Sequence, residues 1–551
     1  VVNAAPTIKI TADKILELNA QNIGESFKFS QSTIFRQGRL KREYYLNVRG
    51  LDQEQIVVLV DGMPLNQPYD GVLDLQNIMT ADIAEASLIK GSASPIYGGQ
   101  GIAGVLNIIT KKSADKNGHI NFQYGTANSK KIDFNLSKKI NKFNFFIAGN
   151  YNTADYQKLS ENYTIRNLFG DTQTHYIDDK KLNNTDYIKR SFSFKTIYDL
   201  SNKSVVGFTT EYYNNDLGVA PHFVTNISTC TEQFRKWRWT NWERATYNII
   251  YKYEDDGFGL KTRIFLDNFD NTLDHKTNYL GDTYLSAVSM YDDRLMGANI
   301  ALSKKFEKLN TELSLNYKED KHSEQGKVTE PWLTFKSRAY SFGNLNTIDF
   351  DSLKLQLGAS IDIFDKVSAQ ELISNNAVDT ITGKSVETFN PYFSTMYNFD
   401  NSNHMSFSYA RKVKFPTLKN LYSRGVDGAQ SPGNPNLKAE QSDNLNLLLE
   451  HLIKEGKLSL GIFYYDIDNH IIFNNNTGTY IQFDARIYGI ELSGLKKINK
   501  FSVDGSITLM KARDDSNKLS SADIEYRPKV QANAGLSYLD NGYKINLNNK
   551  Y

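Results

Sequence analysis

From Gly118 to Tyr551 the chain repeats one pattern that leaves few folds open: strands with an apolar residue at every second position, joined by connections that are short and long in turn. Between Lys131 and Ser137, Ile132, Phe134 and Leu136 fall on one side, Asp133, Asn135 and Ser137 on the other. In Leu353–Ile363, Leu353, Leu355, Leu357, Ala359, Ile361 and Ile363 alternate with Lys354, Gln356, Gly358, Ser360 and Asp362. Period two marks a strand with two unlike faces. Many of these runs reach about ten residues, longer than a usual globular strand and suited to a tilted strand crossing a bilayer. Short polar turns stand at Lys139–Lys142, Asp199–Lys203, Asp255–Gly259, Asp349–Ser352, Asp400–His404, Lys454–Lys457, Lys497–Lys500 and Asp540–Gly542. Long loops separate them, at Asp155–Thr185, Asp216–Glu232, Glu319–Trp332, Lys366–Glu387, Phe415–Glu440 and Asp514–Glu525. A soluble sandwich has no reason to alternate in this way. A transmembrane antiparallel β-barrel does, with short turns on one rim and long loops on the other.

Composition removes the main competitors. Mean hydropathy is −0.49, and no apolar run approaches the roughly 18 residues of a membrane helix, so the chain does not cross a membrane by helices. Aromatic residues make up 12 %, with 33 Tyr and 31 Phe, which fits the interfacial girdles of a barrel and equally the core of a soluble β-protein. The net charge of +2 argues against nucleic acid as a partner. Cys230 stands alone, which excludes an intrachain disulfide and a cysteine metal cluster. The chain opens at Val1 without a charged or apolar leader segment, so a leader is expected to have been removed or the sequence to be a fragment. Counting strands between turns gives about nineteen, whereas single-chain bacterial barrels have an even number. About three more would make the 22-stranded type with a plugged lumen. The reading therefore expects an open seam between the last strand and the strand near Ile120–Gly125, with the native chain continuing past Tyr551.

The first 112 residues read differently, as a compact α+β domain. Thr11 caps a short helix with Asp13 in its first turn and Ile15 and Leu16 as its apolar side. Gln55–Val60 is a buried strand, Thr80–Lys90 reads as a capped helix followed by a strand, and Leu106–Thr110 is another strand. Asp61-Gly62 reads as a tight turn. Gly91, Gly98, Gly99, Gly101 and Gly104 suit close turns in a confined space. No GxxxxGK[ST] or βαβ unit accompanies them, which sets phosphate binding aside.

Two stretches carry a resemblance: YYLNVRGLDQEQIVVLVDGMPLN at Tyr44–Asn66 and EASLIKGSASPIYGGQGIAGVLNIITK at Glu85–Lys111. In order and spacing they resemble the plug of TonB-dependent outer-membrane receptors of the siderophore and cobalamin type. SYARKVKFPTLKNLY at Ser408–Tyr422, GNPNLKAEQS at Gly433–Ser442 and ARIYGIELSG at Ala485–Gly494 are weaker marks of the same family. The resemblance implies a plug domain over 1–112 inside a β-barrel over 118–551.

Arg49 sits among Leu46, Val48 and Leu51, so a buried guanidinium needing a carboxylate is expected. Glu491 alternates with Ile490 and Leu492 and should face the lumen. In the family, plug arginines pair with barrel-wall glutamates, and Glu491 matches one of these. Lys90 stands where Arg is usual and Asn446 where a second wall glutamate is common, so the lock Arg49–Lys90–Glu491 is expected to be weaker; packing of Arg49 against nearby carbonyls is the alternative. Arg36, Arg39, Lys41 and Arg42 form a basic cluster that would face an anionic ligand, or else a solvated loop. Tyr69, Asp70 and Tyr97 lie where family plugs present apical loops to ligand. His222, with Tyr422 and Arg424 in the Phe415–Glu440 loop, completes the ligand candidates. His222 and Cys230, eight residues apart in a long loop, could meet a metal but lack a ligand spacing that points to one, and Trp237, Trp239 and Trp242 read as membrane-interface residues.

The resemblance further implies energised import of a scarce nutrient across the Gram-negative outer membrane. The ligand is a metal chelate, first an iron–siderophore complex, then cobalamin or haem. The partners are the TonB–ExbB–ExbD complex, through a TonB box upstream of the clear sequence, and outer-membrane lipid. The protein is expected to be a monomer, without cofactor or catalytic residues. Plug–wall contacts are expected to be polar and wet, because the plug must yield. A passive porin has no reason for such a plug, and a surface receptor would use the same loops without transport.

Overall fold

The computed structural model describes residues 5–37, 42–111, 117–159, 177–178, 180–220, 222–226, 231–279, 284–373, 376–423, 433–474, 477–519, 521–541 and 543–551. Among these, nineteen long strands from Asn117–Gly125 to Tyr543–Lys550 form one antiparallel wall, each paired with its neighbour in sequence. Two short strands, His222–Asn226 and Val378–Ile381, extend hairpins at the long-loop end. The alternation foreseen in Lys131–Ser137 is present, but inverted relative to a soluble protein. Ile132, Phe134 and Leu136 are 42, 37 and 52 % exposed, whereas Lys131, Asp133, Asn135 and Ser137 are 8 % exposed or less. An apolar outer face over a polar interior is stable only where hydrocarbon replaces water outside. Several strands run well past a bilayer: Thr231–Asp255 has 25 residues and Phe258–Tyr279 has 22, against the roughly 9–11 needed to cross. Parts of the expected long loops are therefore continued hairpin.

In strand order Tyr543–Lys550 stands next to Asn117–Gly125. No ladder joins them among the described residues, so the open seam expected there is present. The junction is the barest part of the wall. The outward side chains of the two strands are also bare, with Phe122 66 %, Tyr124 77 %, Tyr543 78 % and Leu547 68 % exposed. Each of these strands is covered by a neighbour on one side only.

Inside the wall lies the N-terminal domain, a five-stranded sheet in the order Thr7–Thr11, Ile83–Lys90, Gly104–Thr110, Ile56–Val60, Met63–Pro64. Ile56–Val60 runs parallel to Gly104–Thr110 and the other pairs are antiparallel. A hairpin, Thr33–Gln37 with Tyr44–Val48, packs beside it. Thr11 caps the helix Ala12–Glu17 with its side chain, and Ile15 is buried, but Leu16 is 68 % exposed, so the apolar side is a single residue. No helix precedes the strand Ile83–Lys90. Thr80–Asp82 lead directly into it, because its two edges are claimed by Thr7–Thr11 and Gly104–Thr110. At the Asp61-Gly62 turn both residues take positive φ, 50° and 81°. The Asp61 carboxylate reaches across to accept from the Thr110 amide at 2.9 Å.

Gly104 is the tightest glycine of this sheet. Its φ is +133°, and a Cβ there would stand 1.9 Å from the Ile89 carbonyl oxygen. Gly104→Ala should cost about 2 kcal/mol or more, through backbone strain and the displaced strand. Hydrogen exchange should show faster exchange along Ile83–Lys90 and Gly104–Thr110 with the wall strands unchanged. Unaltered protection of the plug sheet would show the position to be permissive.

Candidate functional site

The strand Tyr44–Val48 ends in a turn where Arg49 and Gly50 take left-handed angles, φ 49° and 77°. For a residue with a Cβ this conformation is uncommon. Here the Arg49 amide donates to the Ser32 carbonyl at 2.9 Å. The Arg49 side chain leaves the plug toward the wall strand Thr479–Ile498, where Glu491 points inward between exposed Ile490 and Leu492. Nε and Nη2 of Arg49 donate to Oε1 and Oε2 of Glu491 at 2.8 Å each, the two-pronged geometry that makes guanidinium–carboxylate bonds strong. Nη1 donates to Asn446 Oδ1 at 2.6 Å and to the Tyr465 hydroxyl at 2.7 Å. The guanidinium carbon lies 4.3 Å from the centre of the Phe463 ring. Lys90, at the end of Ile83–Lys90, donates from Nζ to Glu491 Oε2 at 2.8 Å, and the Ser32 hydroxyl donates to Oε1.

Arg49, Lys90 and Glu491 are 1, 2 and 3 % exposed. Burial by itself lowers the pKa of Arg49, and the adjacent Glu491 more than reverses this, so the guanidinium stays charged. Lys90 is the weaker partner. Burial pushes it down to about 8, with Glu491 opposing and the positive Arg49 adding to the shift. Two cations thus share one carboxylate. Asn446, in place of a second glutamate, accepts from Arg49 and passes a hydrogen bond from its amide to the Ser92 hydroxyl at 2.8 Å.

Away from this cluster the plug is tied to the wall mainly by polar bonds. Asp362 accepts the Gly99 amide with both oxygens, at 2.9 and 3.0 Å, and the Val413 amide donates to the Gly99 carbonyl at 2.9 Å. Lys414 bridges Glu54 of the plug, 3.0 Å, and Glu440 of the wall, 3.1 Å, and His470 Nδ1 meets Glu440 at 3.1 Å. On the opposite side Lys195 pairs with Asp61 at 3.0 Å and Arg263 donates to the Asp61 and Gly62 carbonyls. The interface is not polar throughout, however. Phe463, Tyr465, Ile467, Phe483, Ala485 and Ile487 of the wall join the plug's own core in one buried apolar cluster. The expectation of a wholly polar, wet interface is corrected for that sector, where inward positions of two adjacent strands are apolar.

The remaining candidates divide. Tyr69 stacks on His322, with ring centres 4.2 Å apart; His322 stacks on Phe335 at 5.8 Å, and Phe335 on Tyr422 at 5.9 Å. Tyr69 and Tyr422 are thereby brought into one aromatic row joining the plug loop, the wall and the short helix Leu418–Tyr422. The Lys419 amide donates to the Tyr69 carbonyl at 2.8 Å. Asp70 is buried beside them. Tyr97 lies elsewhere, partly buried against Leu59, Ile89 and Val105. Arg36 is already engaged within the plug, with Asp52 at 2.9 Å and Asn47 at 3.0 Å. Arg39, Lys41, Cys230 and Arg424 lie outside the described residues, as does the side chain of His222, whose backbone belongs to the strand His222–Asn226. Trp237, Trp239 and Trp242 are 2 % exposed or less and pack inward with Phe269 and Leu273, so they do not stand at the membrane interface. A register shift between Trp239 and Asn241 turns all three to the lumen side. Sequence reasoning missed His322, Asp362, Lys414, Glu440 and His470. Their one signal was a polar side chain on the inward phase of a strand, and Asp362 had that phase plainly.

Comparison with known proteins places this architecture. Residues 3–105 match the TonB-dependent Receptor Plug Domain, and residues 198–551 match the family described as TonB dependent receptor-like, beta-barrel. Relatives by sequence include the vitamin B12 transporter BtuB of Vibrio cholerae, 21 % identical over 517 residues, covering 90 % of this chain and 73 % of that protein. The ferric aerobactin receptor of Klebsiella pneumoniae is 34 % identical over 125 residues, 22 % of this chain and 16 % of that one. Among solved structures, the copper transporter OprC has a TM-score of 0.78 at 13 % identity, covering 99 % of this chain and 86 % of its own. The siderophore receptor PirA from Acinetobacter baumannii has a TM-score of 0.73 at 15 % identity, with 98 and 85 % covered. At these identities the structural likeness is one of fold. The barrel match alone spans more than half of the sequence, and the chain belongs to the TonB-dependent receptor family.

Proposed function

We propose that the protein imports an iron–siderophore complex across the Gram-negative outer membrane, using energy delivered by TonB with ExbB and ExbD. Members of its family are receptors and transporters rather than enzymes, and the family belongs to that membrane. The observation that carries the transport reading is the plug inside the barrel, held by an intact buried charge cluster and a ring of polar bonds. A passive pore would gain nothing from such a stopper, whereas a gate that opens on demand needs contacts specific enough to re-form. Tyr69 and Tyr422, the partly exposed ends of the row backed by buried His322 and Phe335, offer aromatic contacts at the plug apex for a bulky chelate. Siderophore receptors among the structural relatives support this ligand class. Cobalamin is the second reading, favoured by the long match to a vitamin B12 transporter. Quenching of tryptophan fluorescence by a panel of ferric siderophores, haem and cyanocobalamin separates these readings. We expect saturable binding of a ferric siderophore and at least a tenfold loss, about 1.4 kcal/mol, in Tyr69→Ala. Exclusive binding of cyanocobalamin would replace the first reading with the second, and binding without uptake of labelled ligand would make the protein a receptor only.

The role of Arg49, Lys90 and Glu491 as the plug lock is part of this proposal. Glu491→Gln leaves two buried cations without a counter-charge, at a cost of about 3–5 kcal/mol. Arg49→Ala leaves Glu491 still paired with Lys90 and bonded to Ser32. Ion conductance in planar bilayers should therefore rise more in Glu491→Gln than in Arg49→Ala, with the wild type closed. Equal conductance in all three would remove the lock. The cluster also fixes a pH dependence. Lys90 takes its proton at about 8 in the fold and near its ordinary 10.5 when unfolded. Unfolded chains thus hold more protons between those values, and plug stability should rise as pH increases through that window. Lys90→Met should abolish the rise, read from the urea midpoint of plug unfolding.

A further inference from the structure

The outward face of the wall carries a groove of about 850 Å³ close to the short-turn rim. Its floor is a pair of directly opposed glycines, Gly494 and Gly505, both on the outward phase of their strands, where neighbouring positions carry Leu and Ile. Leu458, Leu492 and Ile507 form its sides, and Phe399 stands at one end. Neither glycine has a positive φ, and a Cβ on Gly505 would meet only the Asn533 carbonyl, at 3.5 Å, so backbone conformation does not call for glycine there. The missing side chains leave a slot that lipid must fill, since an empty apolar slot of this size in hydrocarbon would forfeit its dispersion contacts.

The turns just beyond the groove are basic. Lys454, Lys457, Lys496, Lys497 and Lys500 stand there against Glu450, Glu455 and Asp540. Lys457 is taken up by Glu450 and Lys500 by Asp540 at 2.8 Å. Lys454 and Lys496 have no ion pair among the described residues, and Lys496 Nζ donates to the Lys454 carbonyl, whereas Lys497 falls on the lumen phase. Lys496 lies two residues past Gly494 and so on the same outward phase, about 7 Å along an extended chain. That is the separation between a chain seated on the glycines and a headgroup at the membrane surface.

We propose that this groove seats one acyl chain of an anionic phospholipid of the periplasmic leaflet, with its phosphate held by Lys454 and Lys496. The proposal rests on the barrel lying in the outer membrane with its short turns toward the periplasm.

The test uses the intact protein in vesicles of phosphatidylcholine doped with a phosphatidylglycerol carrying a photoactivatable acyl chain, with labelled peptides mapped by mass spectrometry. Labelling of the peptides holding Leu458 and Leu492–Ile507 should exceed that of other outward strand segments at the same depth. Gly505→Leu fills the slot without backbone strain and should cut this labelling by about fivefold, a loss near 1 kcal/mol. Lys454→Gln with Lys496→Gln lies at the short-turn rim, and should make phosphatidylglycerol and phosphatidylcholine probes label equally while the slot stays occupied. Even labelling of all outward strands would keep the barrel in the membrane and overturn the seat. Wild-type labelling in Gly505→Leu, or preferential retention of lipopolysaccharide at this groove, would overturn it as well.

Discussion

In hydrocarbon no water satisfies a backbone amide or carbonyl, so a strand that crosses a bilayer needs a hydrogen-bonded neighbour on each side. Nearly everything in this chain follows from that requirement. Antiparallel neighbours give every described wall strand such partners except at the seam, where Tyr543–Lys550 and Asn117–Gly125 are each paired on one side only. The pleat then sends alternate side chains to lipid and to the lumen, which places lysine and aspartate inside and isoleucine and phenylalanine outside. A wide lumen lined by polar groups would be an open hole. The N-terminal domain fills it, and its surface has to answer the charges that the wall presents.

The answer is uneven around the circumference. Toward strands Gly456–Asn474 and Thr479–Ile498 the plug shares an apolar core with the wall, and Arg49 is embedded in that sector beside Phe463 and Tyr465. Toward Tyr187–Ser201 and Phe258–Tyr279 the ties include single ion pairs and hydrogen bonds to turn carbonyls, such as Lys195 with Asp61 and Arg263 with Gly62. Water competes effectively for bonds of the second kind and poorly for those of the first. The two sides differ in degree, since Phe265 of Phe258–Tyr279 also joins the buried apolar cluster.

Much of this was legible in the residues, and what was not has physical causes. The wall was readable because lipid enforces a strict two-residue period, and Glu491 was readable because Ile490 and Leu492 fix its phase. Thr80–Lys90 was misread because TADIAEASLIK satisfies a helical as well as an alternating pattern; two sheet neighbours decided it. The tryptophans were misread because aromatic girdles say nothing about which face a residue takes once a bulge intervenes. Without the shift between Trp239 and Asn241, Trp239 and Trp242 would face opposite ways. Lys414, Glu440 and His470 went unseen because lumen-facing polar residues are everywhere in a barrel, and only the fold shows which of them touch the plug.

The N-terminal strand connects these features. Thr7–Thr11 is an edge strand, paired only with Ile83–Lys90 in an antiparallel register that sets Thr7 opposite Ile89. Just before it, the Pro6 carbonyl accepts from the Lys90 amide at 2.9 Å. Lys90 thus holds the start of the N-terminal strand with its backbone and Glu491 with its side chain. A pull delivered to residues ahead of Pro6 and directed away from Ile83–Lys90 would load that bond first and open the strand pair from the same end, one hydrogen bond at a time, whereas a pull along the strand would shear them together. Opening the pair in this way strips the cover from Lys90, the least firmly charged member of the cluster, before it reaches Arg49. Water admitted at Lys90 then solvates the Glu491 carboxylate from one side, and the strength of the Arg49 bond falls with the rising local dielectric. A lock with two strong arginine–glutamate pairs would resist such stepwise entry. If the cluster is the lock proposed above, its lysine at the strand end and the asparagine in place of the second acid would let it give way first at Lys90.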